Sequence, residues 1–140
     1  VLKIFFDVNV LLDFFLERSP KQNHINAIFD ELDNDRISGF VSISVIQACI
    51  FYLTQAKGTV VTRDIIHVIL QKFELIEGKY EDVLSALNSS HSDIEDSIHY
   101  HTALRNQMDA ILTSDKDFLK LSKPFIPVIT PDELKKRIEF

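Results

Sequence analysis

The sequence has a single cysteine, Cys49, which excludes an internal disulfide and any cysteine-rich zinc site. A lone thiol fits a reducing compartment. Glycine is also scarce, and Gly39, Gly58 and Gly78 stand too far apart to build a phosphate-cradling loop. Basic residues are outnumbered: 15 Lys and Arg against 21 Asp and Glu leave a formal charge of −6. That balance excludes a generic nucleic-acid binder, because phosphate neutralisation needs a basic surface. A nucleic acid would have to be met through a local basic patch or a bound cation. No stretch approaches the ~18 consecutive apolar residues of a membrane helix, so no membrane partner is expected. The apolar start from Val1 to Phe6 is too short for a signal-peptide core and carries Lys3 in its middle. The expectation is a soluble, cytoplasmic protein.

What is present is ordinary for a globular chain, with 46% hydrophobic and 26% charged residues. No linker or repeat divides the sequence, and 140 residues suit one domain spanning 1–140. Short β-type runs alternate with longer helical ones. Leu2 to Phe6 reads as a buried strand ended by Asp7, and Leu11, Leu12, Phe14 and Phe15 recur at helical spacing up to the break at Pro20. Ile25, Ile28, Phe29 and Leu32 mark a second helix, and Phe40 to Ile43 a second strand. Ser44 to Lys57 reads as an apolar helix stopped at Gly58, with Thr62 capping the next one. Phe73 to Ile76 gives strand three, and a helix follows through Val83, Leu84 and Leu87. Ser92 with Glu95 forms a capping box for the helix that runs to Arg105. Ala110 to Thr113 and Pro127 to Ile129 complete five strands, and Pro131 opens a last helix. Helices between successive strands imply crossovers, hence a three-layer α/β/α sandwich around a mostly parallel sheet.

Ligands on such a sheet bind beyond the carboxyl ends of the strands. Acids stand there. Asp7 follows strand one with Asn9 two residues on, and Asp115 and Asp117 follow strand four. Asp93, Glu95 and Asp96 open the helix before strand four. Taken singly, each has a structural explanation as a turn former or helix cap. Taken together, three carboxylates (Asp7, Asp96 and Asp115) converge on one edge, and a bound cation is the usual remedy for their repulsion. Oxygen-only ligands favour Mg²⁺ or Mn²⁺, which activate water and stabilise phosphoryl-transfer charge.

The run Ile4-Phe5-Phe6-Asp7-Val8-Asn9-Val10-Leu11-Leu12-Asp13 resembles the opening motif of PIN domains. Asp96 to Leu104 resembles that family's second acidic block, and Thr113-Ser114-Asp115-Lys116-Asp117-Phe118 its third. The three occur in order and span nearly the whole chain. The resemblance implies a Mg²⁺- or Mn²⁺-dependent ribonuclease acting on single-stranded RNA. Small members are often toxin halves of toxin–antitoxin pairs, so an antitoxin partner and a homodimer are also implied. By position, Asp7, Asp96 and Asp115 would be the catalytic, metal-binding acids, with Asp117 a competitor for the third place. Asn9 would orient the first acid or the substrate.

One departure stands out. The family usually carries a further acid on the helix after strand two, yet no Asp or Glu lies between Arg36 and Arg63. Gln47 is the nearest polar stand-in, and an amide brings no charge to a cation. This gap supplies an alternative reading, a catalytically impaired module that works by binding RNA or protein. A third reading makes Asp7 or Asp115 a phosphoryl-accepting nucleophile. Among the remaining candidates, His99 and His101 point to different helix faces and do not form a zinc pair. His99 does share a face with Asp96. Arg18 and Lys21 read first as solvated surface, with the rim of an RNA groove as the alternative, and Phe14, Phe15, Phe29, Phe51 and Tyr52 read most simply as core, with a dimer face as the alternative.

Overall fold

The computed structural model describes residues 1–121 and 125–138. Strand β1 (Leu2–Phe6) runs into helix α1 (Val8–Leu16) and then α2 (Gln22–Asp33). Next come β2 (Ile37–Val41), the long α3 (Ile43–Lys72) and β3 (Phe73–Leu75). Helices α4 (Tyr80–Leu87) and α5 (Ile94–Arg105) precede β4 (Ala110–Leu112). A one-turn α6 (Lys116–Leu119), β5 (Val128–Ile129) and α7 (Pro131–Ile138) complete the described chain. All the strand pairs are parallel, in the order β3-β2-β1-β4-β5, and the helices sandwich the sheet as expected.

That order fixes where chemistry can occur. The chain builds outward from β1 through β2 to β3, then returns to place β4 on the other side of β1. The crossovers leaving β1 and β4 therefore diverge, which opens a crevice at their carboxyl ends. Phe6 pairs with Leu112 at this edge, and the Asp7 amide donates to the Leu112 carbonyl at 3.0 Å. The first residues beyond the two strands are thus held side by side.

The core explains the abundance of phenylalanine. Phe5 and Phe6 are fully buried, as a central parallel strand covered on both faces requires. Phe6 meets Phe29 and Phe73 edge-on, and Phe14 stacks on Phe29 with centroids 3.7 Å apart. Burying such a ring contributes about 1.5–3 kcal/mol. Phe14, Phe15 and Phe29 consequently belong to this cluster, while Phe51 and Tyr52 remain exposed. Gly39 makes room for the cluster: a Cβ there would stand 2.6 Å from the Phe73 ring.

Beyond one-residue differences at the ends of β3, β4 and β5, the elements differ from the sequence reading at three places, each for a local reason. Strand two ends earlier, at Val41, because the Ser42 hydroxyl accepts from the Val45 amide and caps α3. The apolar run across this boundary hid the change of period. Helix α3 is broken at Gly58, whose φ of 83° and ψ of 171° are not helical, so the stop signal there is real. Thr62, expected as a cap, instead lies inside the following segment and donates to the Gly58 carbonyl at 2.8 Å. Asp93, not Ser92, caps α5, its Oδ1 accepting from the Asp96 amide at 3.0 Å. A carboxylate binds that exposed N–H with charge assistance that a hydroxyl lacks.

Candidate active site

Asp7 sits at the N-cap position of α1, yet its side chain accepts no capping hydrogen bond. The turn-and-cap explanation therefore fails for this residue. Its carboxylate is buried, and Oδ2 accepts from the Thr113 hydroxyl at 2.8 Å. The same hydroxyl oxygen accepts from the Asp115 amide at 3.0 Å. One buried threonine thus couples the residue after β1 to the loop after β4.

Asp115 does have a capping role, since Oδ1 accepts from the Asp117 amide at 2.9 Å. It also faces the crevice. Asp117 does not: its side chain is exposed and pairs with Lys120 at 3.2 Å. Of the two competitors, Asp115 is the one that lines the cleft.

The third acid arrives on α5. Asp96 is only 8% exposed, and its Oδ2 is buried without a hydrogen-bond partner among the described residues. The loop that presents it is braced by His91. That imidazole accepts from the Asp93 amide at Nδ1 (3.1 Å), and Nε2 lies 3.3 Å from the Asp117 carbonyl. A tautomer with the proton on Nε2 satisfies both contacts. His91 thereby ties the second acidic segment to the third, a role that its place in a polar loop did not reveal.

These groups share a cleft of about 430 Å³, lined by Asp7, Asn9, Asp93, Glu95, Asp96, His99 and Asp115, with Val8, Leu12, Arg18 and Tyr52. Five carboxylates face it, so the count exceeds the three read from the sequence. Gln47 is absent from the lining and exposed on α3. The expectation that it stands in for the missing acid is corrected by helix phase. Val45, Ile46, Cys49 and Leu53 turn inward, and Gln47 lies on the opposite arc. The α3 side chain that senses the acids is Cys49, whose thiol is pushed up to about 12 by burial and by the charge of Asp7.

Burial and crowding set the electrostatics. Burial raises the Asp7 carboxyl above its ordinary value, against the opposing pull of the Thr113 hydroxyl and His99. Asp96 is pushed up to about 7 by burial and then by the charges of Asp93, Asp7 and Asp115. Burial lowers His99 and outweighs the attraction of Asp7, Glu95 and Asp93. Its ring also packs against Phe5, 5.6 Å between centroids. Among the described residues, no three acid, imidazole or thiol groups are already gathered as a metal cluster.

A family model described as PIN domain matches residues 3–117. No curated protein sequence gives a significant match. Several solved structures are similar in fold. VapBC2 from Rickettsia felis, bound to a DNA fragment from its promoter, matches with a TM-score of 0.68 and 11% identity, covering 92% of this chain and 98% of that one. A toxin–antitoxin complex from Klebsiella pneumoniae gives 0.66 and 18% identity, over 91% and 97% of the two chains. VapC20 from Mycobacterium tuberculosis, described as a sarcin–ricin-loop-cleaving toxin, gives 0.65 and 10% identity, over 82% and 92%.

Proposed function

The chain belongs to the PIN-domain family, and from that premise we propose that it is a ribonuclease, the toxin half of a toxin–antitoxin pair, which hydrolyses single-stranded RNA with the help of Mg²⁺ or Mn²⁺. The observation that carries this reading is Asp96. A buried carboxylate oxygen with no hydrogen-bond partner among the described residues, held among like charges, is an unmet demand for a cation. The donor set around it is oxygen-rich, which suits a hard divalent ion that keeps several of its own waters. Asp7, Asp96 and Asp115 would hold that ion, with Asp93 behind them. When bound, it would supply an activated water and offset the charge gathering on the phosphoryl oxygens.

The protein's own groups do the rest. Thr113 fixes the orientation of Asp7 and the path of the Asp115 loop through one hydroxyl. Asp93 caps α5 and so sets where its first turn delivers Asp96. Asn9, on the first turn of α1, lines the cleft and offers an uncharged donor to a phosphate oxygen. The alternative of an impaired module rested on the missing α3 acid, and a cleft lined by five carboxylates gives it no support.

Toxin–antitoxin complexes of similar fold support a protein partner for this chain. So does α3, where Ile50, Phe51, Val60, Val61 and Leu70 are exposed together with a groove of about 370 Å³. An antitoxin segment or a second copy would cover such a face. The test is cleavage of a labelled unstructured RNA in Mg²⁺, in Mn²⁺ and in chelator, with Asp7→Asn and Asp96→Asn as controls. Cleavage that needs a cation and both acids is expected. A wild-type protein inert with every divalent cation, or variants as active as wild type, would overturn the proposal.

A further inference from the structure

The cleft has a second wall that the acids do not use. Among the described residues lining it, Arg18 is the only permanent cation and Tyr52 the only tyrosine. Both lie away from α5, Arg18 just beyond the end of α1 and Tyr52 on α3, two helices that pack together.

Arg18 is held in a particular way. Its Nε donates to Asp13 Oδ1 at 2.7 Å, and the other Asp13 oxygen accepts from the Ser114 hydroxyl at 3.3 Å. Ser114 directly precedes Asp115. The guanidinium is therefore anchored by its inner nitrogen to a carboxylate that is itself tied to the catalytic loop. Among the described residues its two terminal amino groups have no hydrogen-bond or ion-pair partner, and the side chain lines the cleft. A planar fork with two free donors matches two oxygens of one phosphodiester.

Tyr52 is 49% exposed although it lines a polar cleft. Phe51 meets it edge-on, with centroids 5.1 Å apart and an interplanar angle of 84°, an arrangement that covers at most one face of the tyrosine. An open aromatic face beside a phosphate-binding fork is the combination that single-stranded nucleic acid selects. Every base can stack, and a base is free to do so only when unpaired. In a chain of net charge −6, a fixed local cation also answers how an anionic strand is admitted.

We propose that Arg18 and Tyr52 form a nucleotide subsite next to the carboxylates, in which Arg18 grips a phosphodiester flanking the scissile one and Tyr52 stacks the adjoining base. The subsite selects unpaired RNA. This rests on the ribonuclease reading for its consequence, and the experiment separates the two. Cleavage of a short unstructured RNA would be compared with cleavage of the same sequence closed into a hairpin. In parallel, binding of the fluorescent unstructured RNA would be followed by anisotropy in Ca²⁺ buffer.

Arg18→Lys and Tyr52→Leu should each raise KM on the order of tenfold, with kcat little changed and the same loss in anisotropy. Tyr52→Trp should restore wild-type behaviour, because stacking needs a ring rather than a hydroxyl. The hairpin should be a poor substrate for every variant. Unchanged KM and binding in both Arg18→Lys and Tyr52→Leu would overturn the proposal. So would a Tyr52→Leu defect that tryptophan does not repair and that coincides with altered sedimentation, which would assign Tyr52 to a protein interface. If the wild type binds RNA but never cleaves it, and the variants lose that binding, the subsite stands and the nuclease reading falls.

Discussion

Replacing Asp96 with asparagine should stabilise the protein, and the amount can be worked out. Its carboxyl is pushed from the ordinary 3.8 up to about 7 by burial and by three neighbouring acids. At about 1.36 kcal/mol per pH unit, ionising it in the folded state opposes folding by up to ~4 kcal/mol. The residue lines an open cleft, so water and counter-ions reduce that, and ~2 kcal/mol is the working figure. The sign follows from linkage: the folded state holds its proton more tightly than the unfolded chain does. Stability therefore falls as the pH rises from about 4 to about 7, and stays low above that. Asparagine mimics the protonated acid, since its amide can donate to Asp93 as the carboxylic acid would. In chelator at pH 8, Asp96→Asn should melt about 4–8 °C above wild type, given 2–4 °C per kcal/mol in a domain of this size. At pH 4 the two curves should coincide. Saturating Mn²⁺ should reverse the order at pH 8 by stabilising only the wild type. A variant that melts lower at pH 8, or is displaced equally at both pH values, would refute the reasoning and make Asp96 a structural residue.

Arg105→Gln should destabilise the fold by about 2–3 kcal/mol, because it strands the buried Asp82 carboxylate that Arg105 contacts at 2.9–3.2 Å. Burial opposes that charge, but hydrogen bonds from Arg105 and Lys79 hold Asp82 below its ordinary value, so the difference from wild type should shrink in urea melts as the pH falls below 3.8. Cys49 is fully buried with its thiol raised to about 12, so it should resist a disulfide reagent at pH 8 in native buffer and react fully in guanidinium. Rapid native labelling would show that α3 opens. Gln47→Glu, exposed and outside the cleft, should change stability by no more than about 0.5 kcal/mol with or without metal. A calorimetric gain in Mn²⁺ affinity from that variant would place Gln47 at the site after all.

The parallel sheet was legible because each strand is a short apolar run followed by a helical period, and both signals are local. Asp7 and Asp115 were legible for the same reason, since strand ends are visible in sequence and parallel strands end on one edge. Helix phase was harder. Residues 45 to 53 are almost uniformly apolar, so Gln47 alone marks the outward arc, and one polar residue can equally be read as facing a polar cleft. Arg18 and His91 were harder still. Their partners, Asp13 with Ser114 and Asp93 with Asp117, are joined by contacts of up to 101 residues' separation that no local period encodes.

The missing acid on α3 now has a physical reading. Cys49 holds the inward position near Asp7, and a thiol raised to about 12 stays neutral under all ordinary conditions, so α3 brings no carboxylate or other charge to the cleft. The negative charge is concentrated instead at the start of α5, where Asp93, Glu95 and Asp96 occupy the cap and first turn. That is where a helix tolerates it, because the unpaired amides and the positive end of the helix dipole offset part of the mutual repulsion. An acid on α3 would enjoy no such compensation, being buried on the flank of its helix. The cost of the arrangement is that the cleft depends on one helix start being held in place. His91 and Asp93 supply that hold, from a loop tied to Asp117. Loosening this loop should therefore weaken cation binding while leaving the sheet and its aromatic core intact, since among the described residues none of the buried core lies in it.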